Sequence, residues 1–383
     1  MFRREWNRFR TTWNVQGELS ACKNESDDIA QWRIETRGPN WQVSTRYEFL
    51  RLENFIQGNL AQPRWLQLAR TARWMFDDII SGALVRVFRA SWRMGVLLIY
   101  SQLLLLVWIA LAVAGGWYAL NFTALADVSG VIKFALAAAI GFGFFALLRP
   151  ITDCMFVNQL NNCWPYLREF ARGHPTGFDR STDILADRIV AAARESDTDE
   201  ILVIGHSAGA MLALTIMAKA LKRDPDVGRH GPIISVITVG SIMPALAMHP
   251  AAEKLRDTIV TMATERTVLW ADCQSREDFM NFWQFDPVTG IGADAGERRC
   301  NPRIWQVPIQ QMIAPEIFAK VRFNYWRMHY QYIMSNDRRA AYDYYMFICG
   351  PAPFTDWAAQ DGSACDAFAP DASYRVSEMK AAE

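Results

Sequence analysis

Between Arg93 and Asp127 the chain carries no charged residue. The heart of that stretch, Met94 to Leu120 (MGVLLIYSQLLLLVWIALAVAGGWYAL), exceeds the roughly 20 apolar residues that a helix needs to cross a hydrocarbon core. Soluble core helices seldom run so far without charge, so the segment predicts a transmembrane helix over about residues 94–120. A second run, Val128 to Leu148, is interrupted only by Lys133, whose amine can extend to the interface. It predicts a second span over about residues 128–148, and the short link Asn121 to Asp127 makes the pair a hairpin. Gly115, Gly116, Gly141 and Gly143 would let the spans pack closely, within one hairpin or between copies of a homo-oligomer.

Orientation follows from the flanks. Arg86, Arg89 and Arg93 precede the first span and Arg149 follows the second, whereas the link has no Lys or Arg, so both large flanking segments are expected on the cytoplasmic side. The N-terminal MFRREWNRFR has no apolar core of a signal peptide, and an integral protein of the inner, cytoplasmic membrane is the expectation. With 40 basic against 40 acidic side chains, nothing suggests a nucleic-acid partner. Seven scattered cysteines show no paired C-x-x-C and no nearby His pair, so no metal or other cofactor is expected. Two spans and a single Lys133 offer no pathway for a transporter.

The remaining chain reads as mixed α/β. Phe2 to Trp13 has helical spacing, and Trp32 to Thr36 and Trp41 to Tyr47 read as strands around the turn Arg37-Gly38-Pro39-Asn40. Arg64 to Val87 is an amphipathic helical run expected to approach the membrane. Ser181 to Ala193 reads as a helix, Ile201 to Ile204 as a buried strand, Ile233 to Gly240 and Thr267 to Ala271 as two more.

The strand at Ile201 leads directly into Gly205-His206-Ser207-Ala208-Gly209, and a run of small and apolar residues (AMLALTIMAKAL) leaves it. Strand, sharp turn and helix around G-x-S-x-G are the signature of a nucleophile elbow. The turn would expose Ser207 Oγ and aim the Ala208 amide at a developing oxyanion, and a bulky side chain at Gly205 or Gly209 is expected to clash.

With GHSAG and the strands that follow it, the chain resembles the α/β-hydrolase family, in its lipase and esterase branch. The resemblance implies a mostly parallel sheet flanked by helices, here with the two-helix transmembrane hairpin inserted. Residues 1–80 are expected to add strands to the hydrolase sheet, 81–150 to form the membrane-approach helix and hairpin, 151–350 the hydrolase core and 351–383 a loosely ordered tail. In that family the nucleophile is followed by the acid and then the histidine. His174 precedes Ser207, His206 lies inside the elbow, His230 is in a polar turn, and His249 comes too early, which leaves His329 as the base. The acid is expected at Asp278, with Asp272 and Asp286 as alternatives.

One departure from the pattern stands out. Members of the family place a second oxyanion donor on a glycine-containing loop after an early strand, and no such element precedes Phe2. Either the polypeptide continues upstream of Met1 or the oxyanion hole is incomplete. The resemblance implies a membrane-anchored serine hydrolase that cleaves an ester whose acyl or lipid part is reached near the cytoplasmic leaflet. The alternative is a catalytically inactive hydrolase fold serving as a membrane-bound interaction or scaffold module.

Overall fold

The computed structural model describes residues 1–26, 28–51, 63–121, 129–154, 157–195, 197–359 and 363–375. The chain is mixed α/β, with a four-stranded parallel sheet flanked by helices and one long apolar helix. Helix α1 (Phe2–Trp13) buries Trp6, Phe9 and Trp13 on one face and ends where Asn14 turns left-handed. Strands β1 (Gln16–Leu19), β2 (Lys23–Asn24), β3 (Ile29–Arg37) and β4 (Gln42–Leu50) follow. β3 and β4 pair antiparallel from Ile29↔Leu50 to Arg37↔Gln42, and β1 and β2 share the other edge of β3.

This N-terminal sheet is separate from the parallel one, which corrects the expectation that residues 1–80 extend the hydrolase sheet. The physical reason is local. β3 is paired on both edges, by β4 on one and by β1 and β2 on the other, and the sheet docks on a late helix, with Thr45 Oγ1 donating to the Ile348 carbonyl and the Tyr47 and Tyr344 hydroxyls 2.9 Å apart.

The amphipathic run at Arg64 is two helices, α2 (Arg64–Ile80) and α3 (Ala83–Ala90), broken at Gly82, whose φ of 70° favours a residue without Cβ. Helix α4 (Trp92–Asn121) is the one described helix long and apolar enough to cross a membrane. Helix α5 (Gly130–Cys154) packs against it, with a shorter apolar stretch, Gly130–Phe144. The predicted link between the spans and the first residue of the second lie mostly outside the described residues. The spacing of small residues is used within the hairpin: a Cβ on Gly115 would stand 2.9 Å from the Phe144 ring, and one on Gly116 3.4 Å from the Ala137 carbonyl. One on Gly143 would meet nothing within 4 Å.

Helices α6 (Val157–Ala171) and α7 (Gly177–Ala192) lead into the parallel sheet, ordered β5 (Glu200–His206), β6 (Ile233–Val239), β7 (Leu269–Gln274) and β8 (Arg303–Gln306). Its two faces follow the period-two rule of a strand. Ile234, Val236 and Trp270 join one core, beneath α7, α8 (Gly209–Arg223) and α10 (Glu253–Thr264), which follows the short α9 (Met243–Ala247). Ile237, Val239, Ala271 and Cys273 join the other, beneath α1 and the C-terminal helices. Ile201–Ile204 is half-buried rather than buried, because β5 is the outer strand of this sheet.

Against the expectation of a loose tail, residues 351–359 and 363–375 pack onto the body, with 360–362 outside the described residues. Helices Phe354–Trp357 and Ser363–Asp366 pack Phe354 and Trp357 into the second core, and Trp41 Nε1 donates to the Ala372 carbonyl at 2.8 Å. The aromatic side chains in a tail rich in Ala, Asp and Pro supply its burial. Residues 376–383 lie outside the described residues.

Candidate active site

β5 delivers the chain into a turn that requires glycine at its entry. A Cβ on Gly205 would fall 2.4 Å from the Gly209 carbonyl oxygen and 2.6 Å from Ala210 Cα. One on Gly209 would meet nothing within 4 Å, so of the two glycines expected to be sterically required only Gly205 is. Ser207 sits at the apex with φ 57°, a left-handed conformation that costs a non-glycine residue about 1–2 kcal/mol. Such strain persists only where its surroundings enforce it. Here the Ser207 amide donates to the Val239 carbonyl at 3.0 Å, tying the apex to the end of β6. Ala208 follows at the N-cap of α8, so its amide lies at the positive end of that helix.

Asp278 and His329, 51 residues apart, meet in the interior, with His329 Nδ1 2.9 Å from Asp278 Oδ2. The His329 side chain is 3% exposed and that of Asp278 0%, which leaves this pairing unscreened by water. Both groups border Gly240, the residue after β6, whose φ is 54°. The Gly240 amide donates to the Cys273 carbonyl at 3.0 Å, so the ends of β5, β6 and β7 form one ledge carrying Ser207, Gly240 and the start of the acid loop.

The acid loop is braced internally. Met280 donates its amide to Asp278 Oδ1 at 2.8 Å, and Asn281 Nδ2 donates to the Asp278 and Ser275 carbonyls at 2.7 and 2.8 Å. His329 lies in a short helix, Tyr325–Tyr330, capped by Asn324, whose side chain accepts the Arg327 amide at 2.9 Å. Its Nδ1 is committed to Asp278, which leaves Nε2 as the ring nitrogen outside this bond.

The other acids considered are elsewhere. Asp272 is buried in β7, where Thr238 Oγ1 and Gln274 Nε2 donate to it, and burial pushes its carboxyl up to about 6. Asp286 accepts the Val288 amide at 2.8 Å and pairs with Arg299 at 2.7 Å. Neither is hydrogen-bonded to His329.

Two further residues contribute, one read from the sequence only as part of the elbow and one not singled out at all. His206 Nε2 lies 2.9 Å from the His329 carbonyl, and the two rings are 4.5 Å apart. Burial, helped by His329, pushes the His206 imidazole down to about 3, so it is neutral and its Nε2–H donates to that carbonyl. Asn281 is the second, and its only signal was a position three residues beyond Asp278. Among the described residues no three His, Cys, Asp or Glu side chains are grouped to hold a metal ion. β5 is the outer strand of the sheet among the described residues, so no preceding strand in that sheet carries a second oxyanion loop.

No family model, curated protein or solved structure matches the chain.

Proposed function

We propose that the chain is a membrane-anchored serine hydrolase of the lipase or carboxylesterase type, built on an α/β-hydrolase-like fold. The observation that carries this reading is the buried Asp278–His329 hydrogen bond at Gly240, whose chain neighbour Val239 accepts the amide of the strained Ser207. A structural role accounts for a buried hydrogen-bonded pair or for a left-handed serine, but not for both around one ledge.

In the proposed reaction Ser207 Oγ attacks the ester carbonyl while its proton passes to His329 Nε2. Asp278 holds the imidazole and stabilises the cation, and the Ala208 amide receives the oxyanion. Collapse of the tetrahedral species breaks the bond to the alcohol, which leaves with the proton from His329. Water then gives its proton to His329, attacks the acyl-serine, and releases the carboxylic acid as the proton returns to Ser207. Helix α4 would cross the cytoplasmic membrane, with α5 returning as the second span and the hydrolase body on the cytoplasmic side.

The second reading, an inactive fold serving as an interaction module, is favoured by the outer position of β5. One missing oxyanion donor costs on the order of 100- to 1000-fold in rate. Labelling of the detergent-solubilised protein by a fluorophosphonate separates the two. The hydrolase reading expects labelling that Ser207→Ala and His329→Ala abolish; a folded parent that takes no label supports the inactive module.

A further inference from the structure

The foot of the apolar helix is part of the soluble body. Met94, Leu97, Leu98 and Ser101 of α4 are buried, the first three in the same core as Trp164 and Leu167 of α6. A polar collar closes this section: Ser101 Oγ donates to Asn161 Oδ1 at 2.7 Å, Thr71 Oγ1 to the Asn161 carbonyl at 3.2 Å, and Asn162 Nδ2 to Gln67 Oε1 at 3.0 Å. Beyond it Leu103, Leu106, Val107, Ile109 and Val113 are exposed. From Leu103 to Asn121 the helix runs about 28 Å at 1.5 Å per residue, close to the roughly 30 Å of a hydrocarbon core. The hydrocarbon boundary therefore falls at Leu103.

Trp92, at the start of α4, lies about 16 Å of helix below that boundary. It is tied to the candidate site. Its indole meets the Phe279 ring edge-on with centroids 5.8 Å apart, and Arg93 Nη1 donates to the Arg276 carbonyl at 3.0 Å. Phe279 is next to Asp278 and packs on Tyr325 at 4.9 Å, one helical turn before His329. The acid and the base are thus held at the foot of the helix. A bilayer with headgroups measures about 40–45 Å, which adds only about 5–8 Å on each side of the core. A tilt of about 20° shortens the 16 Å by less than 1 Å or so. A lipid ester seated at the hydrocarbon boundary is therefore separated from the Trp92–Phe279 contact, next to Asp278, by more than the headgroup layer.

Around the site the exposed surface is aromatic instead. Tyr325 is 50% and Tyr330 40% exposed, and Tyr330 lies 5.3 Å from the His206 ring and 6.1 Å from that of His329. Phe323 is exposed under the Arg322 guanidinium, and Arg93 lies over Phe279. We infer that the substrate is a water-soluble ester carrying a flat apolar group, which reaches Ser207 from the aqueous phase and lays that group on the aromatic pair Phe279 and Tyr325. This rests on the hydrolase reading above and narrows its substrate.

The test uses the full chain in dioleoylphosphatidylcholine vesicles, with naphthyl acetate and vinyl acetate as aqueous esters and the vesicle lipid as the embedded one. The expected result is hydrolysis of naphthyl acetate, intact lipid, and a preference for naphthyl over vinyl acetate in kcat/KM that Tyr325→Ala lowers about tenfold. The ratio of two substrates on one variant is insensitive to partial misfolding. Cleavage of the vesicle lipid, or an unchanged preference in Tyr325→Ala, overturns the inference while leaving the hydrolase reading standing. A folded parent that takes no fluorophosphonate overturns both.

Discussion

Gly240 lies so close to His329 that a Cβ built on it would stand 3.2 Å from Cε1 of the imidazole, and 3.1 Å from Asp278 Oδ2. With φ at 54° the position also disfavours any side chain. Gly240→Ala is therefore expected to push Asp278 and His329 apart and to lower stability by at least about 1–2 kcal/mol, roughly the left-handed cost alone. Fluorophosphonate labelling rate and thermal midpoint, measured together, check this; parent-like labelling would show that the ledge tolerates a methyl group.

Asp278→Asn should reduce the labelling rate by about 10⁴-fold, the general magnitude for loss of the carboxylate behind a triad histidine. Asp272→Asn should keep it within a few-fold, because Asp272 pairs with Thr238 and Gln274 and not with His329. Equal losses in the two variants would reassign the acid.

Glu200, at the start of β5, is pushed up to about 7 from an ordinary 4.5 by burial, which the Phe354 amide donating at 2.8 Å only partly offsets. The folded state therefore holds this proton where the unfolded chain has lost it, and stability falls as pH rises from 4.5 to 7. The loss is on the order of 2–3 kcal/mol at 1.36 kcal/mol per unit, reduced by residual solvent access. Glu200→Gln keeps an acceptor for the Phe354 amide and should flatten that part of the curve. Denaturation midpoints of both proteins across this window are the measurement, and parallel curves would rule the assignment out.

Trp13 Nε1 donates to Asp343 Oδ2 at 2.8 Å, joining α1 to the cap of helix Tyr344–Cys349. Burial already holds the Asp343 carboxyl up at about 6. Trp13→Phe removes a donor to the charged form, so the pKa rises further and stability drops by about 1–3 kcal/mol. The deficit should be larger at pH 8 than at pH 5, where the carboxyl is protonated in both proteins. A urea midpoint shift independent of pH would mean that only packing was lost.

Much of the candidate site was legible because its parts are local. The elbow needs a strand, Gly205, a serine and a helix start within one short segment, and His329 was the histidine left after the others were placed. Asp278 could be preferred but not separated from Asp272 and Asp286, since three carboxylates after one strand differ only in where the loop carries them. The ion pair with Arg299 and the buried bonds to Thr238 and Gln274, which occupy the other two, span up to 34 residues of chain. His206 was read only as part of the elbow, and its hydrogen bond to the His329 carbonyl crosses 123 residues.

The same division holds for the fold. Periodicity and charge by themselves determined the long apolar helix, the β3–β4 strands and the elbow strand, because each is set by residues a few positions apart. Only the tertiary structure decided that the N-terminal strands make a sheet of their own, that the segment after Pro351 packs against α1, and that α4 begins inside the packed core. Those outcomes depend on which surface wins the burial of an apolar face, and the competing surfaces lie hundreds of residues apart in the chain.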